Sequence, residues 1–210
     1  MKIMFNLEPP SGSYGGGAFF VIDLAKYFIE KGFEVTYKLE PNIDLIFIID
    51  PRKGDYKKYS MDTLLFYRKQ NPSTKIIYAV NECDIKRDVN INIEPIILKT
   101  ILDVDYNVFI SQWLKNYYIQ KYPKHYQKLK DGNVIFNACN LEIFNNLDNR
   151  LAKFNTKLKE NNKIKIVTHH WSDNYLKGYD IYAKLDKYIY DNPKSNLSFS
   201  IIGNINKDFR

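Results

Sequence analysis

Short apolar runs alternate along this chain with stretches whose apolar residues recur at helical spacing. "KIMFN" (Lys2–Asn6), "FEVTYK", "DLIFIID", "KIIYAV", "YNVFI" and "NVIFN" read as strands. "DLIFIID" is continuously aliphatic, the pattern of a parallel strand covered on both faces. Between them, "AFFVIDLAKYFIEKG", "MDTLLFYRKQ", "PIILKTIL" and "SQWLKNYYIQKY" read as helices. In the first helix only Asp23, Lys26, Glu30 and Lys31 interrupt the apolar surface, which predicts a helix largely buried against a sheet. Gly32 stands where a helix C-cap glycine belongs, and Ser111 where an N-cap belongs. Alternating strands and helices joined by short loops predict a doubly wound parallel sheet, an α/β Rossmann-like domain.

The pattern weakens over "NNLDNRLAKFNTKLKENNK", which is charged and asparagine-rich. It then resumes as "KIKIVTHH", a helix with Ile181, Leu185, Tyr188 and Ile189 on one face, and "LSFSIIG". The sequence therefore predicts a first domain over residues 1–145, a linker over 146–162, and a single βαβ unit over 163–210. One such unit buries little apolar surface, so it is expected to be the opening of a second, incomplete Rossmann-like domain.

Composition narrows the class. Hydrophobic residues make up 45% and aromatics 15% of the 210 residues, enough for a sizeable core. The start "MKIMFNLEPP" has no leader-like apolar run, and the longest aliphatic run, "LIFII", is far shorter than a membrane span. A cytoplasmic chain is expected, with Cys83 and Cys139 as free thiols. The net charge of +7 suits nucleic acid, an acidic membrane surface contacted peripherally, or a phosphorylated small molecule. Its lysines are dispersed and no nucleic-acid fold signature occurs, so no nucleic-acid partner is expected.

Chemistry concentrates in three segments. "SGSYGGGAFF" puts Gly16 and Gly17 between the first strand and a helix, where backbone amides can approach an anion; it is neither GxGxxG nor a Walker motif. "NECDIKRD" puts Asn81, Glu82, Asp84 and Arg87 at the C-terminal end of a strand, the edge at which open α/β sheets bind ligands. An ordinary solvated loop with Asp84 paired to Arg87 would read the same way. In "HHWSDNYLKGYD", Lys177 and Gly178 open a helix, an arrangement that suits an anion or a plain capping turn. His169 and His170 are adjacent on a strand and so point to opposite faces, which argues against a metal site. GxSxG and HExxH are absent.

Taken in order, "YGGGAFFVIDLAKYFIEKGFEVTY", "IDPRKGD", "NECDIKRD", "VFISQWLKNYY", "NVIFNACNLEIFN" and "THHWSDNYLKGYDIY" resemble the glycosyltransferase family 4 enzymes of the GT-B fold. The resemblance covers nearly the whole chain. It implies two Rossmann-like domains facing across a cleft, with a nucleotide diphosphate sugar as co-substrate held mainly by the second. It implies hexosyl transfer to a glycan, lipid or other acceptor with retention, and neither cofactor nor obligate metal. By match to the family's motifs, Gly16 and Gly17 would lie near the donor phosphates and Lys177, with Gly178, at the diphosphate. Tyr14, Asn81, Glu82, Asp84 and Arg87 would lie on the acceptor side of the cleft. The chain departs from the family at Asn81, where a histidine is frequent, and before Lys177, where an arginine usually stands. The family's acidic donor motif would fall beyond residue 210, so the resemblance implies an N-terminal portion, inactive alone and completed by a separate or downstream C-terminal half. A non-catalytic carbohydrate- or anion-binding module is the alternative.

Overall fold

The computed structural model describes residues 1–11, 15–52, 59–86, 92–139, 141, 164–170 and 175–203. The chain divides into two compact units, one formed by Met1–Ile85 with Ile91–Ala138, the other by Lys86–Asn90 with Cys139–Arg210.

The first unit is an α/β fold around a six-stranded sheet. In chain order it runs β1 (Lys2–Phe5), α1 (Gly16–Glu30), β2 (Glu34–Thr36), β3 (Leu45–Ile48), α2 (Met61–Gln70) and β4 (Lys75–Val80). It continues with α3 (Glu94–Asp103), β5 (Tyr106–Phe109), α4 (Gln112–Lys121), α5 (Tyr126–Lys130) and β6 (Asn133–Val134). Every pairing is parallel and the strand order is β2-β1-β3-β4-β5-β6, a Rossmann-like doubly wound sheet. The aliphatic run at β3 is covered on both faces: Ile46 and Ile48 join Met4, Leu64, Tyr78, Ile97, Leu114 and Tyr118 in one core, while Phe47 and Ile49 join Ile3, Phe5, Val21 and Ala25 in the other.

Local chemistry accounts for the element ends. Gly32 adopts φ +81°. Its N–H donates to the Ile29 carbonyl at 2.9 Å and the Phe33 N–H to the Phe28 carbonyl at 3.0 Å, the paired bonds of a Schellman ending. The Phe28 and Phe33 rings meet edge-on at 5.9 Å and complete that ending with an apolar contact. Ser60 and Ser111 cap α2 and α4, their hydroxyls accepting from the amides of Thr63 and Leu114. The short α5 carries only Leu129 as a buried residue, too little apolar periodicity for the sequence pattern to reveal it.

The expected burial of α1 is corrected. Only Val21 and Ala25 of α1 are buried, whereas Phe19, Ile22, Tyr27 and Ile29 are about half exposed. A helix lying on one face of a sheet buries a single stripe, however apolar its remaining surface. Packing is tighter at Gly132, where a Cβ would stand 2.6 Å from the ring of buried Phe109. Gly132→Ala should therefore lower the stability of this unit by roughly 1–2 kcal/mol, read as a lower urea midpoint at constant slope.

In the second unit, β7 (Ile164–His170) and β8 (Leu197–Gly203) pair in parallel, joined through α6 (Tyr179–Asp191). The helix rests on the sheet through Tyr182, whose ring lies 5.6 Å from Phe199 and whose hydroxyl is 3.0 Å from that of Thr168. Tyr179 is the buried residue of α6, and Leu185 and Ile189 are partly covered. Ile181 and Tyr188, expected on the packing face, are more than half exposed. The stripe that packs is Tyr182, Leu185 and Ile189, spaced by three and four residues, and it excludes both. The stretch expected to be a linker, 146–162, lies outside the described residues.

Candidate functional site

Between β1 and β3 the outgoing connections part: β1 leads through α1 to β2 on one side, and β3 leads through α2 to β4 on the other. Such a switch point opens a crevice at the C-terminal strand ends. Asn6, buried just past β1, builds its floor. Its Oδ1 accepts from the Ile49 amide at 2.9 Å and its Nδ2 donates to the Asp50 carbonyl at 2.7 Å, which extends the pairing beyond the last strand residues. Asp50 in turn fixes Arg52. Its carboxylate accepts from the Arg52 amide and Nε at 2.9 Å each, and from Nη2 at 2.6 Å, a two-pronged ion pair. Sequence reasoning passed over Asn6 and Arg52; the signal was Asp-Pro-Arg directly after a fully aliphatic strand.

The glycines of α1 lie at the same edge. Gly15 precedes the helix in extended conformation with no side-chain cap, and the first turn holds no acidic residue. Gly16 has open space where a Cβ would point, and at Gly17 the nearest atom would be Ile49 Cγ2 at 3.9 Å. A helix start without an acidic residue in its first turn leaves the positive end of α1 to favour an anion. Tyr14 lies outside the described residues, as does Arg87.

The β4–α3 segment is held by a buried polar cluster. Asn81 Nδ2 donates to the Ile49 carbonyl at 3.4 Å, and Glu82 accepts at its carbonyl from the Tyr118 hydroxyl at 3.0 Å. Asp84, read from the sequence as a cleft residue, has its Oδ1 turned to the start of α3, where it accepts from the amides of Ile93 at 2.7 Å and Glu94 at 3.3 Å. Glu94 reciprocates: Oε1 accepts from the Asp84 amide at 3.0 Å, a long-range version of a capping box. Glu94 itself is 1% exposed and takes three further donors, the hydroxyls of Tyr117 at 2.6 Å and Tyr122 at 2.7 Å and the Lys121 ammonium at 2.7 Å. Burial pushes its carboxyl upward, but the bonds from Lys121, Tyr117, Tyr122 and the Asp84 amide outweigh burial and hold it below the usual carboxylate value. Burial and then the Glu94 bond push the Tyr122 phenol up to about 12. Asp84 and Glu94 therefore shape the edge that Asn81 and Glu82 present. A carboxylate at Glu94 gave no sequence signal, because it opens a helix on an ordinary Glu-Pro pair.

In the second unit, Lys177 ends a short 3-10 turn (Tyr175–Lys177) and is exposed. Gly178 follows at φ +95°, and its carbonyl accepts from the amides of Ile181 and Tyr182 at 3.0 Å each, so it opens α6. A Cβ at Gly178 would combine that left-handed strain with the Tyr182 ring at 3.5 Å. The lysine thus stands one residue ahead of a helix start. His169 is exposed on β7.

The candidate residues accordingly fall into two groups, each internally placed: Gly16, Gly17, Asn81, Glu82 and Asp84 on the first unit, and Lys177 with Gly178 on the second. No protein-family model matches the chain, and no curated protein matches it. Among the described residues no helix is long and apolar enough to cross a membrane.

Proposed function

We propose that this chain is a glycosyltransferase of the GT-B kind, whole or in part. It transfers a sugar from a nucleotide diphosphate sugar to a glycan, lipid or other acceptor with retention. The observation that carries the reading is the second unit's strand, turn and helix, with exposed Lys177 directly before the left-handed Gly178 that opens α6. A cation, a glycine without a side chain and the positive end of a helix together suit a diphosphate. The first unit supports the acceptor role with a parallel sheet whose C-terminal edge carries Asn81, Glu82 and the glycines of α1. The chemistry asked of these residues is binding and orientation: the diphosphate leaving group held by Lys177 and amides, and the acceptor placed at the sheet edge.

The test is titration of UDP-glucose, GDP-mannose and, for contrast, uridine and guanosine, which carry no diphosphate, followed by amide NMR shifts. The nucleotide sugars should move the signals of Lys177 to Tyr182, and the nucleosides should not. Binding of free sugars without any nucleotide would favour a carbohydrate-binding module, and no response to any nucleotide sugar would remove the donor role.

A further inference from the structure

The sheet of the first unit ends on one side at β2, which among the described residues pairs only with β1. The Glu34 amide turns inward and donates to the Met1 carbonyl at 3.1 Å. Backbone groups alternate sides along a strand, so the N–H and C=O of Val35 turn outward to the open edge. α1 borders the same edge. Its Phe20 leans toward β3, the ring 6.3 Å from that of Phe47. Ile22 and Ile29 lie on the flank of the helix opposite Phe20. Since β1 separates β2 from β3, that flank looks out over β2. Ile22 is 43% exposed, Ile29 60% and neighbouring Phe19 51%.

Charges on an edge strand discourage a further strand unless that strand matches them. Glu34 opens β2, and Lys38 follows four residues later. A second copy of this segment, set antiparallel about Thr36, matches both: Glu34 stands opposite the copy's Lys38, and Val35 opposite the copy's Tyr37. Glu34 already bonds Lys2 at 2.8 Å, yet its side chain is 63% exposed and open to a second cation. Val35 and Tyr37 both pack on the α1 face of the sheet, so their pairing is apolar. The helices match about the same axis. Gly17 sits beside Ile49, and Thr36 is level with Met4, three strand residues or about 10 Å below the level of Ile49. A helix covers that distance in about seven residues, so the axis crosses α1 near Leu24. Phe19 then faces the copy's Ile29, and Lys26 stands beside the copy's Asp23.

We propose that the β2 edge and the outer flank of α1 form the interface of a two-fold homodimer. In it β2 pairs antiparallel with its copy and joins the two six-stranded sheets into one. The pairing carries β2 past its single-chain end at Thr36 and through Lys38. It involves neither Lys177 nor any nucleotide. Because the joined strands run antiparallel, the C-terminal strand ends of the two copies open in opposite directions, and neither copy covers the other's crevice.

The test is the mass of the whole chain in solution, by sedimentation and light scattering at micromolar concentrations. The wild type should show twice the single-chain mass. Ile29→Glu, at an exposed position, should raise the dimer dissociation constant about tenfold or more while its circular dichroism stays that of the wild type. Glu34→Lys and Lys38→Glu should each weaken the dimer about tenfold, because each turns two attractive cross-strand pairs into repulsive ones. The double variant should recover most of the lost affinity. Within one chain the two residues stand about 13 Å apart along an extended segment, so recovery requires a second copy in this register. A monomeric wild type would leave the edge bare or to a different partner, and would overturn the proposal. So would a dimer indifferent to Ile29→Glu, or one that the double charge reversal fails to restore.

Discussion

Glu94→Ala is expected to lower the unfolding free energy of the first unit by about 3–5 kcal/mol. The carboxylate is almost wholly buried and accepts from Tyr117, Tyr122, Lys121 and the Asp84 amide at 2.6–3.0 Å. Each hydrogen bond to a charged group contributes roughly 1.5–3 kcal/mol, but such bonds share one acceptor and do not add. Truncation also strands two tyrosine hydroxyls and one amide. Lys121, about half exposed, turns to water and limits the damage. Glu94→Gln keeps an acceptor for the tyrosines and should cost less. Urea unfolding of the three proteins at neutral pH measures both differences.

The same carboxylate fixes the sign of a pH effect. Its folded pKa lies below its unfolded value, so the stabilisation is fully present above the unfolded carboxylate pKa of about 4.3. It is lost as pH falls through the folded pKa. The stability gap between wild type and Glu94→Gln should therefore be constant above about pH 5 and narrow as pH drops below about 4. A gap that widens in acid would mean that the folded Glu94 pKa lies above its unfolded value.

The alternation of apolar runs was enough to read the α/β class and nearly every strand and helix of the first unit, because the central strands are short, mostly apolar runs bounded by polar turns. Periodicity identified α1 but overstated its burial, since an apolar residue such as Ile29 reads alike whether it packs on a sheet or faces solvent. On α6 it chose Ile181 over Tyr182, because hydropathy ranks isoleucine above a tyrosine that packs its ring on Phe199 and its hydroxyl near Thr168. The candidate site was legible as positions at strand ends rather than as bonds. Asp84 was recognisable as a polar loop residue, but its pairing with the start of α3 spans ten residues and depends on Glu94 arriving there. The reciprocal clamp is a tertiary event, and no local spacing rule contains it.

Lys177→Ala should weaken nucleotide-sugar binding by roughly tenfold to a hundredfold, the loss of one charged hydrogen bond to a diphosphate. Lys177 is exposed, and the turn it occupies is held by Gly178 and the backbone rather than by its side chain, so stability should change little. Lys184→Ala serves as the control: it lies on α6 itself, is also exposed, and carries the same charge away from the helix start. Comparing the two at equal salt cancels any general effect of lowering the net charge of +7.

The decisive measurement is the affinity of UDP-glucose and GDP-mannose for wild type, Lys177→Ala and Lys184→Ala, by calorimetry at one ionic strength. A donor site predicts binding of at least one nucleotide sugar by wild type and Lys184→Ala, and a tenfold or greater loss confined to Lys177→Ala. Equal affinities in the two variants, or no binding in any of the three proteins, would contradict it.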